Sequence, residues 1–263
     1  MTMEAQAARS TSLAFGMPRF CWTILSFVSL IGFWQLIAWW LDSIYFPGVP
    51  EVWEVLVQAA ASGDLLYHVL VTLGRVIMAF VLAMCIGAAI GIALGRFQTA
   101  DLFFDPWVVF FLNLPALIVI IMCYLWFGQT ELAVVIAVAI NKIPNVAVTL
   151  REGARRLSRD LGEMAQVYNF SWWKNLRHVV LPQLAPFFAT AARTGLALVW
   201  KIVLVVEAIG GLQEGVGAQI YIAYSQLEVP VILAYAIAFI VVVQLIEMLI
   251  LQPIDAHVNR WRR

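Results

Sequence analysis

The chain has 263 residues, 63% of them hydrophobic and only 12% charged. Soluble domains carry roughly 25% charged residues, and the mean hydropathy here is +0.90, so lipid is the solvent for most of the chain. Sixteen basic and sixteen acidic residues cancel, and the balance offers nothing to nucleic acid. Cys21, Cys85 and Cys123 are odd in number, lie in apolar segments and show no metal-ligand spacing. They read as small apolar side chains, with no disulfide framework.

A helix needs about 20 apolar residues to cross the hydrocarbon core. Phe20 to Leu41 provides them without a charge, and no A-x-A-like cleavage site follows in LDSIYFPG, so it is a retained span. The next segment, FPGVPEVWEVLVQAAASG, opens with Pro50 and acidic residues and places Val52, Val55, Leu56 and Ala59 on one side. This pattern predicts a short amphipathic helix on the membrane surface, ending near Gly63. Further spans are expected over 68–95, 102–127, 132–150, 184–209 and 229–251, six in all.

Charge orients them. With a cytoplasmic N-terminus, Arg9, Arg19, Arg96, Arg151, Arg155, Arg156, Arg159, Lys174, Arg177, Arg260, Arg262 and Arg263 all fall inside. The expected outer loops, 42–67, 128–131 and 210–228, contain acidic residues and no Lys or Arg. This is the positive-inside pattern, and only an even span count keeps RWRR at 260–263 on the inner side. The expected fold is an all-α integral membrane protein with both termini cytoplasmic. A tail over 1–19 and a basic tail over 253–263 flank one membrane domain, 20–252.

Between the fourth and fifth expected spans lies a polar insert, 151–182. Ser158 can cap a helix whose face is Leu161, Met164, Ala165 and Tyr168, with Asp160 and Glu163 in its early turns. Asn169 suits a left-handed helix end. A second turn, Ser171 to His178, leads to Leu181-Pro182, where the next span begins. Such a helix-break-helix is too short for a soluble domain and the right size to seat in a partner's groove. Anionic lipid would account for its arginines alone, but not for Glu163, the break and Leu-Pro in that order.

Here the chain resembles the permease subunits of binding-protein-dependent ABC importers, in the branch that carries nitrate, taurine and alkanesulfonates. Glu163, Ala165, Leu181 and Pro182 match that family's cytoplasmic signature. Met164 stands where the family has Ala, and Asn169 where it has Gly; both Asn and Gly accept positive φ. FPGVPEVW, TLGRV followed by Gly87, Gly91 and Gly95, LWFG at 125–128, and Glu207 extend the match over 46–251. The resemblance implies a type I importer permease of the bacterial plasma membrane. It also implies a second copy of the chain, two ATPase subunits that carry ATP-Mg and dock on 151–182, and a periplasmic or lipid-anchored substrate-binding protein. Glu163, Met164, Ala165, Asn169, Leu181 and Pro182 would form the coupling site.

Polar residues inside the spans are costly, and they are the candidates for a path: Arg75, Asn113, Asn141, Lys142, Asn145, Arg193, Lys201 and Glu207. Four cations against two acids, Glu207 and Glu247, lean towards a small anionic or polar solute such as nitrate, a sulfonate or taurine. Structural alternatives stand beside this: Lys201 paired with Glu207, and Arg75 snorkelling outward. The chain has no P-loop, zinc motif or nucleophile elbow, so no cofactor of its own and no catalytic residue is expected. A self-contained secondary transporter or channel is the competing class, but it predicts an inverted repeat or paired broken helices, and the sequence shows neither. The orientation has a direct test: a cysteine placed near Gly63 or Gly217 should label from outside, and one at Ser158 should not.

Overall fold

The computed structural model describes residues 19–253, and they are almost wholly helical. In chain order the helices are α1 (Arg19–Leu41), α2 (Val49–Ser62), α3 (Asp64–Arg96), α4 (Gln98–Leu112), α5 (Ala116–Phe127), α6 (Glu131–Arg155) and α7 (Arg159–Val167). They are followed by α8 (Trp172–Asn175), α9 (Leu181–Ile209), α10 (Val216–Gln226) and α11 (Val229–Ile246). A π-helical turn, Leu176–Val180, joins α8 to α9, and a second, Glu247–Leu251, extends α11. Of the two tails, the basic residues at 260–263 lie outside the described residues.

Among the described residues, those up to Glu54 form one compact unit and those from Val55 a second. In the first, α1 presents nearly all its side chains to the surroundings, as a lipid-facing helix does. Its outer end is folded back by two side chains. The Gln35 carboxamide accepts the Val49 N–H at 2.7 Å, and Trp34 Nε1 donates to the Pro47 carbonyl at 3.1 Å. The expected surface helix is α2, and Gly63 ends it at φ 86°, a conformation that costs glycine little.

The second unit is built on α3, α6 and α9. Lipid gives apolar side chains no reason to leave it, so helices in a membrane hold together through close van der Waals contact and small residues. Gly87, Gly91 and Gly95 recur every fourth residue on one face of α3. A Cβ on Gly91 would stand 2.3 Å from the Ala147 carbonyl oxygen of α6, and one on Gly95 2.5 Å from the Ala154 side chain. The two backbones therefore touch. α9 closes on α6 through side chains laid over glycines, with Phe187 over Gly153 and Lys142 over Gly195. Val76, Ala79, Val134, Ala137, Val138, Val199, Val203 and Val206 fill the space between the three helices and are fully or almost fully buried.

The third expected span departs from a single helix. α4 and α5 meet at 91°. Pro115 has no N–H to give and disfavours helix at Leu114, and Asn113 finishes α4 by turning its Nδ2 onto the Val109 carbonyl at 2.7 Å. The described chain thus has five helices long and apolar enough to cross a membrane, and six spans if the bent pair counts as one. The outer segment 210–228, read as a loop, contains α10. It also buries Gly217, where a Cβ would lie 2.3 Å from the Leu204 carbonyl oxygen. Exposed Tyr224 is therefore the better outer labelling position.

Gly91→Val tests the glycine contact. It should lower the unfolding temperature of the detergent-solubilised protein by several degrees, since overpacking costs about 1–3 kcal/mol, whereas Gly74→Ala, at an open position, should change it little.

Candidate translocation path and docking segment

Asn141, Asn145 and Thr149 follow one another at four-residue steps on α6 and so cover about 80° of its circumference. All three are half-buried. Each is turned back to its own helix: Asn141 Nδ2 to Ala137 O at 2.9 Å, Asn145 Nδ2 to Asn141 O at 3.3 Å, and Thr149 Oγ1 to Asn145 O at 3.0 Å. On α9, Thr190, Thr194 and Lys201 lie within about 40° of one another and are exposed. The residues of α6 that meet α3, Val146 and Ala147, and the core residues of α9, Val199 and Val203, point elsewhere. Both polar stripes therefore sit on the side of the α6–α9 seam away from α3.

Lys142 lies in that seam. It is 2% exposed, and it runs over Gly195, where a Cβ would stand 2.8 Å from its Cε. Among the described residues it forms no ion pair. Lys201 is exposed on the neighbouring face. Arg193, about 80° around α9 from Lys201, turns instead to Glu247, with its Nη2 3.7 Å from the carboxylate. Asn113 stands apart, exposed at the α4–α5 bend.

Arg75 and Glu207 belong to a different construction at the outer end of the bundle. Glu207 is fully buried and Arg75 is 1% exposed. Arg75 Nη1 donates to Glu207 at 2.7 Å and to the Glu214 carbonyl at 2.7 Å, while Nε and Nη2 bind the two oxygens of Glu131, the Nε bond at 2.6 Å. Glu207 also accepts from the Thr72 hydroxyl at 3.0 Å and from the Gly217 N–H at 2.8 Å. Thr72 Oγ1 accepts the Val216 N–H at 2.8 Å, and His68 Nδ1 the Gly215 N–H at 3.1 Å. One carboxylate and its partners thereby hold down the first turn of α10 and the segment before it. Neither alternative reading of these charges describes the arrangement: Glu207 pairs with Arg75, not Lys201, and Arg75 points inward. Thr72, Glu131 and the 214–217 backbone had no signal in the sequence, because nothing local marks a threonine or a loop amide as a carboxylate partner.

On the cytoplasmic side the insert folds as two short helices. Ser158 Oγ caps α7 through the Leu161 N–H at 3.4 Å. Asn169 takes φ 49°, the Phe170 N–H returns to Ala165 O at 2.8 Å, and the Asn169 N–H to Gln166 O at 3.0 Å. This is the paired hydrogen-bond ending that a left-handed residue permits. Ala165 is buried, whereas Glu163, Met164, Asn169, Leu181 and Pro182 are exposed. Val167, Tyr168, Trp172 and Trp173 are also exposed, between 61% and 77%. Large apolar side chains exposed together in this way are a feature of surfaces that meet a partner. The two tryptophans and Val167 were legible as apolar residues in a polar insert, but their outward direction was not.

A family model, the binding-protein-dependent transport system inner membrane component, matches residues 83–263. The chain belongs to that family. It is a multi-pass inner-membrane permease of the ABC importer class, and its fold is the importer permease fold. A protein named as an aliphatic sulfonates transport permease, SsuC of Bacillus subtilis, is 26% identical over 251 residues, covering 94% of this chain and 90% of its own. The bicarbonate transport system permease CmpB of Synechococcus elongatus is 27% identical over 175 residues, 66% of this chain and 63% of its own. Among solved structures, the inward-facing MetNI methionine ABC transporter superposes with a TM-score of 0.59 at 18% identity, over 81% of this chain and 99% of that one.

The buried ion pair of the permease yields a stability prediction. Arg75→Gln strands the Glu207 carboxylate and should cost roughly 3–5 kcal/mol, seen as a large fall in unfolding temperature. Lys201→Met, exposed and without a carboxylate partner among the described residues, should leave that temperature unchanged.

Proposed function

We propose that two copies of this permease enclose a path for a small anionic solute between their α6–α9 polar faces. The observation that carries this is the pair of stripes, Asn141, Asn145 and Thr149 on α6 beside Thr190, Thr194 and Lys201 on α9. In one chain the α9 residues are exposed and the α6 residues half-buried, at the depth of its membrane spans. Hydrocarbon penalises polar groups of this kind unless protein or water meets them, and a second copy presenting the same face would leave a wet channel between the two. Exposed Lys201 gives that channel a positive charge, which suits the sulfonate and bicarbonate named for the relatives. An external binding protein would deliver the solute to the outer surface. The chain itself contains no nucleotide-binding loop, so ATP-Mg would be bound and hydrolysed by separate ATPase subunits. These would seat on α7 and α8 through Glu163, Met164, Val167, Tyr168 and the two tryptophans.

Two measurements test this reading. In proteoliposomes holding the complete importer, Lys201→Met should reduce anion uptake by about tenfold, the scale of one charged hydrogen bond, with assembly and basal ATP hydrolysis retained; unimpaired uptake would remove Lys201 from the path. Glu163→Lys should leave the permease inserted but weaken retention of the ATPase in pull-downs, and full retention with normal transport would remove α7 from the docking surface.

A further inference from the structure

An acidic pair on α4 faces a basic pair on α6 at the inner end of the bundle. Asp101 and Asp105 are four residues apart, as are Arg151 and Arg155, so each pair occupies one side of its helix over a single turn. Arg151 Nη1 donates to Asp105 at 2.5 Å and to Asp101 at 3.2 Å. Arg155 Nη2 binds the other oxygen of Asp101, while its Nη1 donates to Glu152 at 3.1 Å. Asp101 is 8% exposed, and Arg151 Nε is buried with no hydrogen-bond partner among the described residues. The Arg151 guanidinium is thus gripped through one edge by α4.

The position of this cluster gives it a consequence. Arg151 and Arg155 lie in the last two turns of α6, and Ser158, the cap of α7, comes three residues beyond Arg155. The base of α7 is fastened to the bundle. Leu157 packs on Ala154, Val180 and Leu184, and the Ser158 N–H donates to the Gln183 side chain of α9 at 2.9 Å. Force applied to α7 therefore reaches the end of α6 with little slack. On the other side of the ion pairs, α4 runs directly into the 91° bend at Asn113–Pro115.

We propose that Asp101 and Asp105 are positioning residues that make α4 and its bend follow the docking segment when an ATPase acts on it. The inference rests on the docking reading above. A charged cluster that only stapled the fold would alter yield, hydrolysis and uptake in parallel; a transmitting one changes the ratio of uptake to hydrolysis.

The experiment uses the complete importer in proteoliposomes, with anion uptake and ATP hydrolysis measured on the same vesicles. Asp105, whose side chain is 49% exposed, can be changed without stranding a deeply buried charge. Asp105→Asn is expected to keep the ATPase attached and hydrolysing while uptake per ATP falls about tenfold, the scale of one charged hydrogen bond. Asp105→Glu, which keeps the charge facing Arg151, is expected to recover most of that ratio. An unchanged ratio in Asp105→Asn, or a proportional loss of uptake and hydrolysis, would overturn the inference. If Asp105→Asn fails to insert, a short thiol cross-linker between Asp105→Cys and Arg151→Cys in a background lacking the three native cysteines decides: coupled transport with the link closed supports the inference, and transport blocked until the link is cut overturns it. Loss of ATPase retention by the unmodified permease would instead overturn the docking reading itself.

Discussion

The approach of α3 to α6 at glycine distance is the contact on which the rest of the bundle depends. In lipid, two apolar helices gain nothing by leaving hydrocarbon, so association rests on how closely the backbones approach and how many atoms they bring together. Gly87, Gly91 and Gly95 supply a trough, and Val146, Ala147 and Ala154 fill it. Once α6 is pressed into α3, its remaining sides are assigned: α9 takes one through Gly153 and Gly195, α5 and the bend of α4 take another, and the Asn141–Asn145–Thr149 stripe is left over. The proposed path is the face that packing does not use.

Polar groups are distributed by the same economy. Inside the membrane each must find a partner in the protein or face water. Asn141, Asn145, Thr149, Thr190 and Thr194 satisfy themselves on their own helix carbonyls, which keeps them tolerable until a solute or a second chain meets them. Arg75 and Glu207 are handled differently, buried together and surrounded by Thr72, Glu131 and the 214–217 backbone. A buried ion pair is poor as a source of stability, yet removing one member is severe. The device is therefore suited to fixing one arrangement of the outer segment. At the inner end, the ion pairs between α4 and α6 range from buried Asp101 to half-exposed Asp105, and they tie the two helices together.

Much of the architecture was legible because bilayer thickness and charge asymmetry are strong constraints. Span positions, the cytoplasmic insert, the surface helix α2 and the left-handed end at Asn169 all follow from length, hydropathy and the tolerance of particular residues. The candidate coupling residues were named by their resemblance to a family signature, within an insert that is polar where everything around it is not. Two features resisted. The break at Asn113–Pro115 was visible as residues but not as an angle, since proline inside a membrane helix is often accommodated, as Pro106, Pro144 and Pro186 are here. The α10 helix was hidden because a short, moderately apolar segment between spans reads as a loop.

The sequence by itself determined that this chain lives in lipid, that a polar insert interrupts its spans, and which polar residues lie at membrane depth. Only the tertiary structure decided what those polar residues do. Which helix faces Arg75, whether Lys201 or Arg75 answers Glu207, and that Asp101 and Asp105 meet Arg151 and Arg155 depend on contacts between residues 46 to 132 positions apart. A side chain's type and spacing set what partners it can accept; the crossing of distant helices sets which partner is within reach.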